Sequence, residues 1–165
     1  MLTTETVSRL FSGFNQKKVI IIGDVMLDSY IWGGVNRISP EAPVPIVEVE
    51  KRESRLGGAA NVGLNIKSLG ATPFLCSVIG DDIRGQEYLN LMTDSNLPQK
   101  GIIKSNKRIT TTKFRVIGNN TQMLRVDEEI TDFLDNEDKN ILRGNIFKIT
   151  EEEDIDVIIF QDYDK

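Results

Sequence analysis

The sequence contains no histidine and only one cysteine, Cys76, among its 165 residues. Without histidine, a Ser-His-Asp triad, a Cys-His pair and a histidine-bound zinc ion are excluded as the basis of its chemistry. A single cysteine permits neither a disulfide framework nor a cysteine metal cluster within the chain, which favours a reducing compartment. Cys76 lies in an apolar run, so we expect a small buried side chain there.

The sequence also lacks long hydrophobic runs and an excess of positive charge. Its apolar stretches are too short to span a bilayer, and no secretory signal is recognisable, so we expect a cytoplasmic protein. The formal net charge of −5 argues against nucleic acid or an anionic membrane surface as a partner. The content of 39% hydrophobic and 27% charged residues is typical of a soluble globular domain.

A glycine pair, Gly57-Gly58, introduces a predicted helix. The helix is indicated by apolar residues at helical spacing and by the glycine that follows them: Val62, Ile66, Leu69 and Gly70. Glycine lets the backbone turn sharply and approach a ligand closely, and the helix start places free N–H groups and the Asn61 amide beside the turn. Taken alone, this pattern is more typical of a tight turn than of a binding site.

The rest of the pattern predicts an α/β fold. Residues 18–24 form a continuous β-branched run, which indicates a strand covered on both faces of a parallel sheet. Further buried strands are predicted at residues 72–80, 101–104 and 155–160, and helices at 4–14, 83–93 and 135–149.

Two further strand pairs are predicted to be half-exposed, because apolar and polar residues alternate along them. Residues 28–34 would pair with 44–50, and 110–118 with 121–127, where Gly118-Asn119-Asn120 provides the turn. We assign both pairs to one flap. The predicted division is a core of residues 1–27, 53–107 and 128–165 and a lid of residues 28–52 and 108–127.

Polar residues follow the predicted buried strands and open the first helix after them. Because ligands collect at the carboxyl ends of the strands in open α/β sheets, these residues form a candidate site: Asp24, Asp28, Gly57, Gly58, Asn61, Asp162 and Lys165. Carboxylates and amides are well suited to accept hydrogen bonds from sugar hydroxyls. Any one of these aspartates, considered singly, is more often a turn or capping residue.

These motifs resemble the ribokinase-like (PfkB) carbohydrate kinases. Residues 57–61, followed by Gly70 and Gly80, are similar to the N-terminal signature of that family, with Gly63 departing from its usual Ser, Thr or Ala. Within the family, the chain is most similar to the heptose 7-phosphate kinases of ADP-heptose and lipopolysaccharide precursor synthesis. The segments that carry this likeness are residues 23–28, 37–45, 57–61, 112–115, 122–127 and 162–165, of which 37–45 is the most specific.

The resemblance implies a ribokinase-like α/β fold: a mostly parallel sheet with flanking helices and an antiparallel β lid, with the C-terminal half of the fold missing. It implies an ATP- and Mg²⁺-dependent kinase that phosphorylates D-glycero-D-manno-heptose 7-phosphate at C1. Asp28 matches a sugar-hydroxyl ligand, and Asn61 and the glycine pair line the same pocket. Lys113 and Arg115 on the lid are candidate ligands for the 7-phosphate, or else part of a solvated strand face.

The resemblance also implies a homodimer formed through the lids. Their apolar faces are extensive enough to favour association: Ile31, Val35, Ile46, Val47, Phe114, Val116 and Met123. The second signature of the family, which supplies the catalytic aspartate and the anion hole, would lie C-terminal to Lys165. We therefore expect no catalytic residue in this chain and the ATP and Mg²⁺ sites mostly outside it. Two alternatives stay open: another PfkB-type sugar or nucleoside kinase, and a non-catalytic sugar-phosphate binding fragment.

Overall fold

The computed structural model describes residues 3–163, which form two four-stranded sheets and four helices. The helices are α1 (Thr4–Phe14), α2 (Ala59–Ser68), α3 (Ile83–Asp94) and α4 (Asn136–Glu152). The strands are β1 (Lys18–Gly23), β2 (Val25–Ile38), β3 (Pro45–Gly58), β4 (Thr72–Gly80), β5 (Ile102–Ser105), β6 (Thr112–Gly118), β7 (Thr121–Glu128) and β8 (Val157–Gln161).

The first sheet is wholly parallel and has the order β5-β4-β1-β8. Ile20 and Ile21 on β1 are fully buried and point to opposite faces, which confirms a strand covered on both sides. Helices α2 and α3 cover one face. Ile149 of α4 covers the other face, beside Cys76, and burial raises the pKa of that thiol to about 11.

Strand β8 has the apolar composition from which a buried strand was predicted, but it is mostly exposed within the described residues. It lies at the edge of the parallel sheet, and within residues 3–163 no strand pairs with its outer side. Val157 and Ile158 are 47% exposed and Phe160 is 74% exposed. Hydrophobic content alone does not fix burial, because burial also requires a neighbouring element to cover the strand.

The second sheet, hereafter the lid sheet, has the order β3-β2-β6-β7. The two predicted hairpins do join in one sheet, but β2 and β6 pair in parallel, so the sheet is mixed rather than antiparallel. The parallel pairing follows because both strands start at the core and run outward. Strands β2 and β3 are longer than predicted and extend into residues 25–27 and 53–58, which the sequence assigned to the core.

Helix α2 begins and ends at glycines in the left-handed region of φ. Gly58, with φ +60° and ψ −134°, precedes the helix, and Gly70, with φ +98°, follows it. These conformations confirm the predicted turn and the predicted stop. None of the helices in residues 3–163 combines the length and the apolar character that a bilayer crossing requires.

Candidate functional site

The strand register of the lid sheet brings predicted site residues onto one face. Asp28 on β2 lies opposite Arg55 on β3 and opposite Lys113 on β6, and Tyr30 lies opposite Arg115. Side chains at paired positions, and at every second residue along a strand, point to the same side of a sheet. Asp28, Lys113 and Arg115 therefore share a face, hereafter the charged face of the lid.

Asp28 is held between a guanidinium group and a glycine. Arg115 Nη1 donates a hydrogen bond to Asp28 Oδ1 at 2.5 Å, and the two side chains are only 22% and 21% exposed. A Cβ added to Gly57 would lie 2.6 Å from Asp28 Oδ2. A Cβ there would displace the carboxylate from this position, so glycine permits the close approach that joins the predicted residues Asp28, Gly57 and Arg115 in one constellation.

Lys113 is bound within a different group of charges. Its Nζ lies 2.9 Å from Asp127 Oδ2 and 3.4 Å from Glu129 Oε2, and its side chain is 14% exposed. Arg125 forms a further ion pair with Asp127 at 2.9 Å. The hydrogen bond from Lys113 is the main reason that the pKa of Asp127 lies below its usual range.

Two aromatic side chains on the charged face were not predicted as site residues from the sequence. Tyr30 and Trp32 stack with ring centroids 5.1 Å apart. The guanidinium groups of Arg55 and Arg115 lie 5.1 and 5.3 Å from the centroid of the Tyr30 ring. Tyr30 and Trp32 are the second and fourth residues after Asp28, so the alternation of a strand places them on its face. The contacts of Tyr30 with the two arginines depend on the strand register, which the sequence does not show. Arg115 thus contacts both a carboxylate and an aromatic ring.

The passage from the lid sheet to helix α2, hereafter the hinge, is built around Gly58. The Ala59 N–H donates to the Asp24 carbonyl oxygen at 2.8 Å, and a Cβ on Gly58 would lie 2.3 Å from that oxygen. Asn61 occupies the first turn of α2 and is exposed. The chain therefore passes from lid strand β3 into core helix α2 through a position that only glycine fits without strain.

Asp24 has a structural role at the carboxyl end of the parallel sheet. Its backbone N–H donates to the Gln161 carbonyl oxygen, and its carboxylate accepts the N–H of Tyr163 at 2.7 Å. It thereby joins the segments that follow β1 and β8. Asp162 lies beside this connection and is exposed. Lys165, also predicted as a site residue, lies outside the described residues.

A partly buried hydrogen-bond network connects α3 to the segment before lid strand β6. The Asp82 carboxylate caps α3 by accepting the Gly85 N–H at 2.6 Å, and it also accepts the N–H and the hydroxyl of Thr110 at 2.8 and 2.9 Å. Burial alone would raise the pKa of Asp82, yet these hydrogen bonds hold it below its usual range. The sequence gives no sign of this network, because its partners are far apart along the chain.

Residues 16–159 match the pfkB family of carbohydrate kinases. The bifunctional protein HldE of Helicobacter pylori strain P12 is 47% identical over 151 residues, which are 90% of this chain and 32% of that protein. The chain thus spans about a third of the length of this curated relative.

Two solved structures share the fold at low sequence identity. Phosphofructokinase-2 from Escherichia coli, in complex with potassium, is 18% identical with a TM-score of 0.58, over 81% of this chain and 41% of that one. The ribokinase of Cryptococcus neoformans var. grubii serotype A, in complex with ADP, is 15% identical with a TM-score of 0.52, over 73% and 38%. This likeness confirms the ribokinase-like α/β fold and its partial extent.

Proposed function

The chain belongs to the pfkB family of carbohydrate kinases, and we propose that it is the sugar-binding part of an ATP-dependent kinase acting on D-glycero-D-manno-heptose 7-phosphate at C1. The identity of 47% to HldE supports a role in heptose metabolism. The observation that carries the assignment to sugar binding is the Asp28 carboxylate against Gly57, on a lid face that also bears cations.

The chain's own residues would bind the sugar by complementary polar contacts. A carboxylate accepts hydrogen bonds from hydroxyl groups, and Asp28 stands where the lid leaves the core. Gly57 keeps the backbone side of that carboxylate open to close approach. Asn61, exposed at the start of α2, adds an amide beside the hinge. The charged face also bears cationic groups, and charge-assisted donors are what a phosphate group requires.

We propose that ATP and Mg²⁺ bind mostly outside residues 3–163. Within residues 3–163 no three cysteine or carboxylate side chains are grouped so that they could hold a metal ion. The one glycine pair that opens a helix there, Gly57-Gly58, belongs to the hinge of the lid. We also propose that the catalytic groups lie outside residues 3–163, and that this chain by itself transfers no phosphate.

Calorimetric titration of the chain with heptose 7-phosphate, ribose and fructose 6-phosphate tests the substrate. We expect measurable binding of heptose 7-phosphate and at least about tenfold weaker binding of the other two, since each lacks some of its polar groups. Tighter binding of ribose or of fructose 6-phosphate would instead identify a different PfkB-type kinase. The proposal that this chain alone transfers no phosphate is tested by an assay of ADP release from ATP with heptose 7-phosphate. Turnover that a substitution in this chain abolishes would contradict it.

We also propose a cytoplasmic homodimer that forms through the lid sheets. Support comes from three exposed apolar side chains on β7, namely Met123, Leu124 and Val126, which are 43%, 55% and 45% exposed. Of the seven apolar lid residues that the sequence predicted for the dimer interface, Met123 is exposed and the other six are half-buried. Sedimentation at micromolar concentration should give the mass of a dimer, and a monomer would contradict the proposal.

A further inference from the structure

We propose that Arg115, and not Lys113, binds the phosphate group of the sugar substrate, and that Asp28 is the counter-ion that Arg115 exchanges for this phosphate. The inference rests on the proposed function, because it assigns separate roles to residues of the same site. The sequence alone left the two lid cations as equal candidates. Their contacts in the structure are different, and the difference decides between them.

Lys113 is unsuited to binding a second anion. Its Nζ already lies within 3.4 Å of both Asp127 and Glu129. A phosphate group that approached it would meet two carboxylates at close range, and repulsion between like charges is large where the groups are mostly buried. The Lys113 side chain is also the least exposed of the lid cations on this face that form ion pairs. We therefore assign Lys113 the structural role of joining β6 to β7.

Arg115 differs in the number and in the nature of its partners. Within residues 3–163 Asp28 is the one carboxylate within 4 Å of its guanidinium group. The same guanidinium lies over the Tyr30 ring, a contact that does not involve Asp28. This aromatic contact keeps Arg115 in place when its counter-ion changes. A guanidinium group can also donate two parallel hydrogen bonds to one phosphate, which an ammonium group cannot do.

The ion pair between Asp28 and Arg115 makes the site selective for ligands that are both hydroxylated and phosphorylated. Such a ligand gives Asp28 hydroxyl donors and gives Arg115 a phosphate acceptor, so both charges keep a partner. An unphosphorylated sugar that takes Asp28 leaves the guanidinium of Arg115, only about one-fifth exposed, without a counter-ion. Leaving a mostly buried charge unpaired is unfavourable, so the pair discriminates against incomplete ligands.

Inorganic phosphate tests the exchange without any sugar. We expect the Asp28→Asn variant to bind inorganic phosphate about tenfold more tightly than the unmodified chain, because the competing carboxylate is neutralised at nearly constant size. Adding Arg115→Met to this variant should abolish the gain, whereas adding Lys113→Met should preserve it. Equal phosphate affinity with and without Asp28→Asn, or no phosphate binding in either protein, would overturn the proposal.

Titrations with heptose 7-phosphate and with unphosphorylated heptose test the assignment of the phosphate. Arg115→Met should weaken binding of heptose 7-phosphate about tenfold or more, while affinity for heptose stays equal or rises because Asp28 loses its competitor. Lys113→Met is the matched control and should change both affinities by the same factor. Selective loss of heptose 7-phosphate binding in Lys113→Met, or equal losses for both ligands in Arg115→Met, would contradict the assignment.

The two proposals fail in different ways. One outcome is that the unmodified chain binds neither heptose 7-phosphate nor heptose, while Asp28→Asn still gains affinity for inorganic phosphate. The proposed substrate is then wrong and the exchange at Arg115 stands. If heptose 7-phosphate binds but Asp28→Asn brings no gain for phosphate, the substrate stands and the exchange is wrong. Thermal unfolding followed by circular dichroism verifies that each variant is folded.

Discussion

The parallel sheet and the lid sheet each have four strands, but different interactions stabilise them. Ile20 and Ile21 on the central strand of the parallel sheet are completely buried, whereas no residue of lid strand β7 is buried. Strands β6 and β7 are joined by their backbone ladder and by cross-strand ion pairs such as Lys113 with Asp127. The charged side chains of the lid share one face of its sheet. We propose that the parallel sheet stabilises the fold and that the charged face of the lid binds the sugar.

The largest effect on stability should come from the centre of the parallel sheet. Ile20→Ala removes fully buried methyl groups and should lower the free energy of unfolding by about 2–5 kcal/mol. The matched change in the lid, Val126→Ala, affects a side chain that is 45% exposed and should cost less than about 1 kcal/mol. Urea unfolding of both variants measures the difference, and equal losses would show that the lid sheet has a core of its own.

The hinge between the two sheets is the next most sensitive position. Gly58→Ala places a Cβ 2.3 Å from the Asp24 carbonyl oxygen and forces alanine to a positive φ, so it should cost about 2 kcal/mol or more and weaken sugar binding. Gly144→Ala is the control, because it lies within α4 with open space around it and should stabilise by about 0.5–1 kcal/mol. A Gly58→Ala variant of normal stability would mean that the hinge backbone can adjust.

At Asp28 the effect should fall on binding rather than on folding. Asp28→Ala should weaken sugar binding by about 2–3 kcal/mol, as expected for hydrogen bonds to a charged group. The free energy of unfolding should change less than this, because Arg115, although it loses its counter-ion, keeps its contact with the Tyr30 ring and stays about one-fifth exposed to water. Calorimetry and urea unfolding give the two values. Lost stability with unchanged sugar affinity would make Asp28 a structural residue.

The smallest effect concerns how the free energy of unfolding depends on pH in the acidic range. Hydrogen bonds from Lys100 and Lys18 lower the pKa of Glu153 from 4.5 to about 2. Since the folded-state pKa lies below the ordinary value, the ionised carboxylate stabilises the fold above pH 4.5, and this contribution is lost as the pH falls toward 2. Glu153→Gln should therefore make the stability less dependent on pH in this window. An unchanged slope in acid unfolding would show that these exposed ion pairs contribute nothing.

The sequence was sufficient to predict features that depend on residues close together in the chain. The bounds of α1 matched, and the buried strand β1 and the helix between Gly58 and Gly70 lie where they were predicted, with β1 ending one residue earlier. Apolar periodicity and the backbone preferences of glycine act over a few residues, so they can be recognised in the sequence. Asp28 and the glycine pair were identified through motifs of contiguous residues. Their contact was not predicted, because it depends on the extension of β3 into residues 53–58, which the sequence assigned to the core.

Only the tertiary structure decided which distant groups meet. Asp28 and Arg115 are 87 residues apart, and their ion pair depends on the parallel pairing of β2 with β6, which local pattern did not reveal. The exposure of β8 likewise depends on its place at the edge of the sheet rather than on its apolar composition. Local propensity specifies an element and the faces it presents, whereas register and neighbours are fixed by packing between segments that the sequence keeps apart.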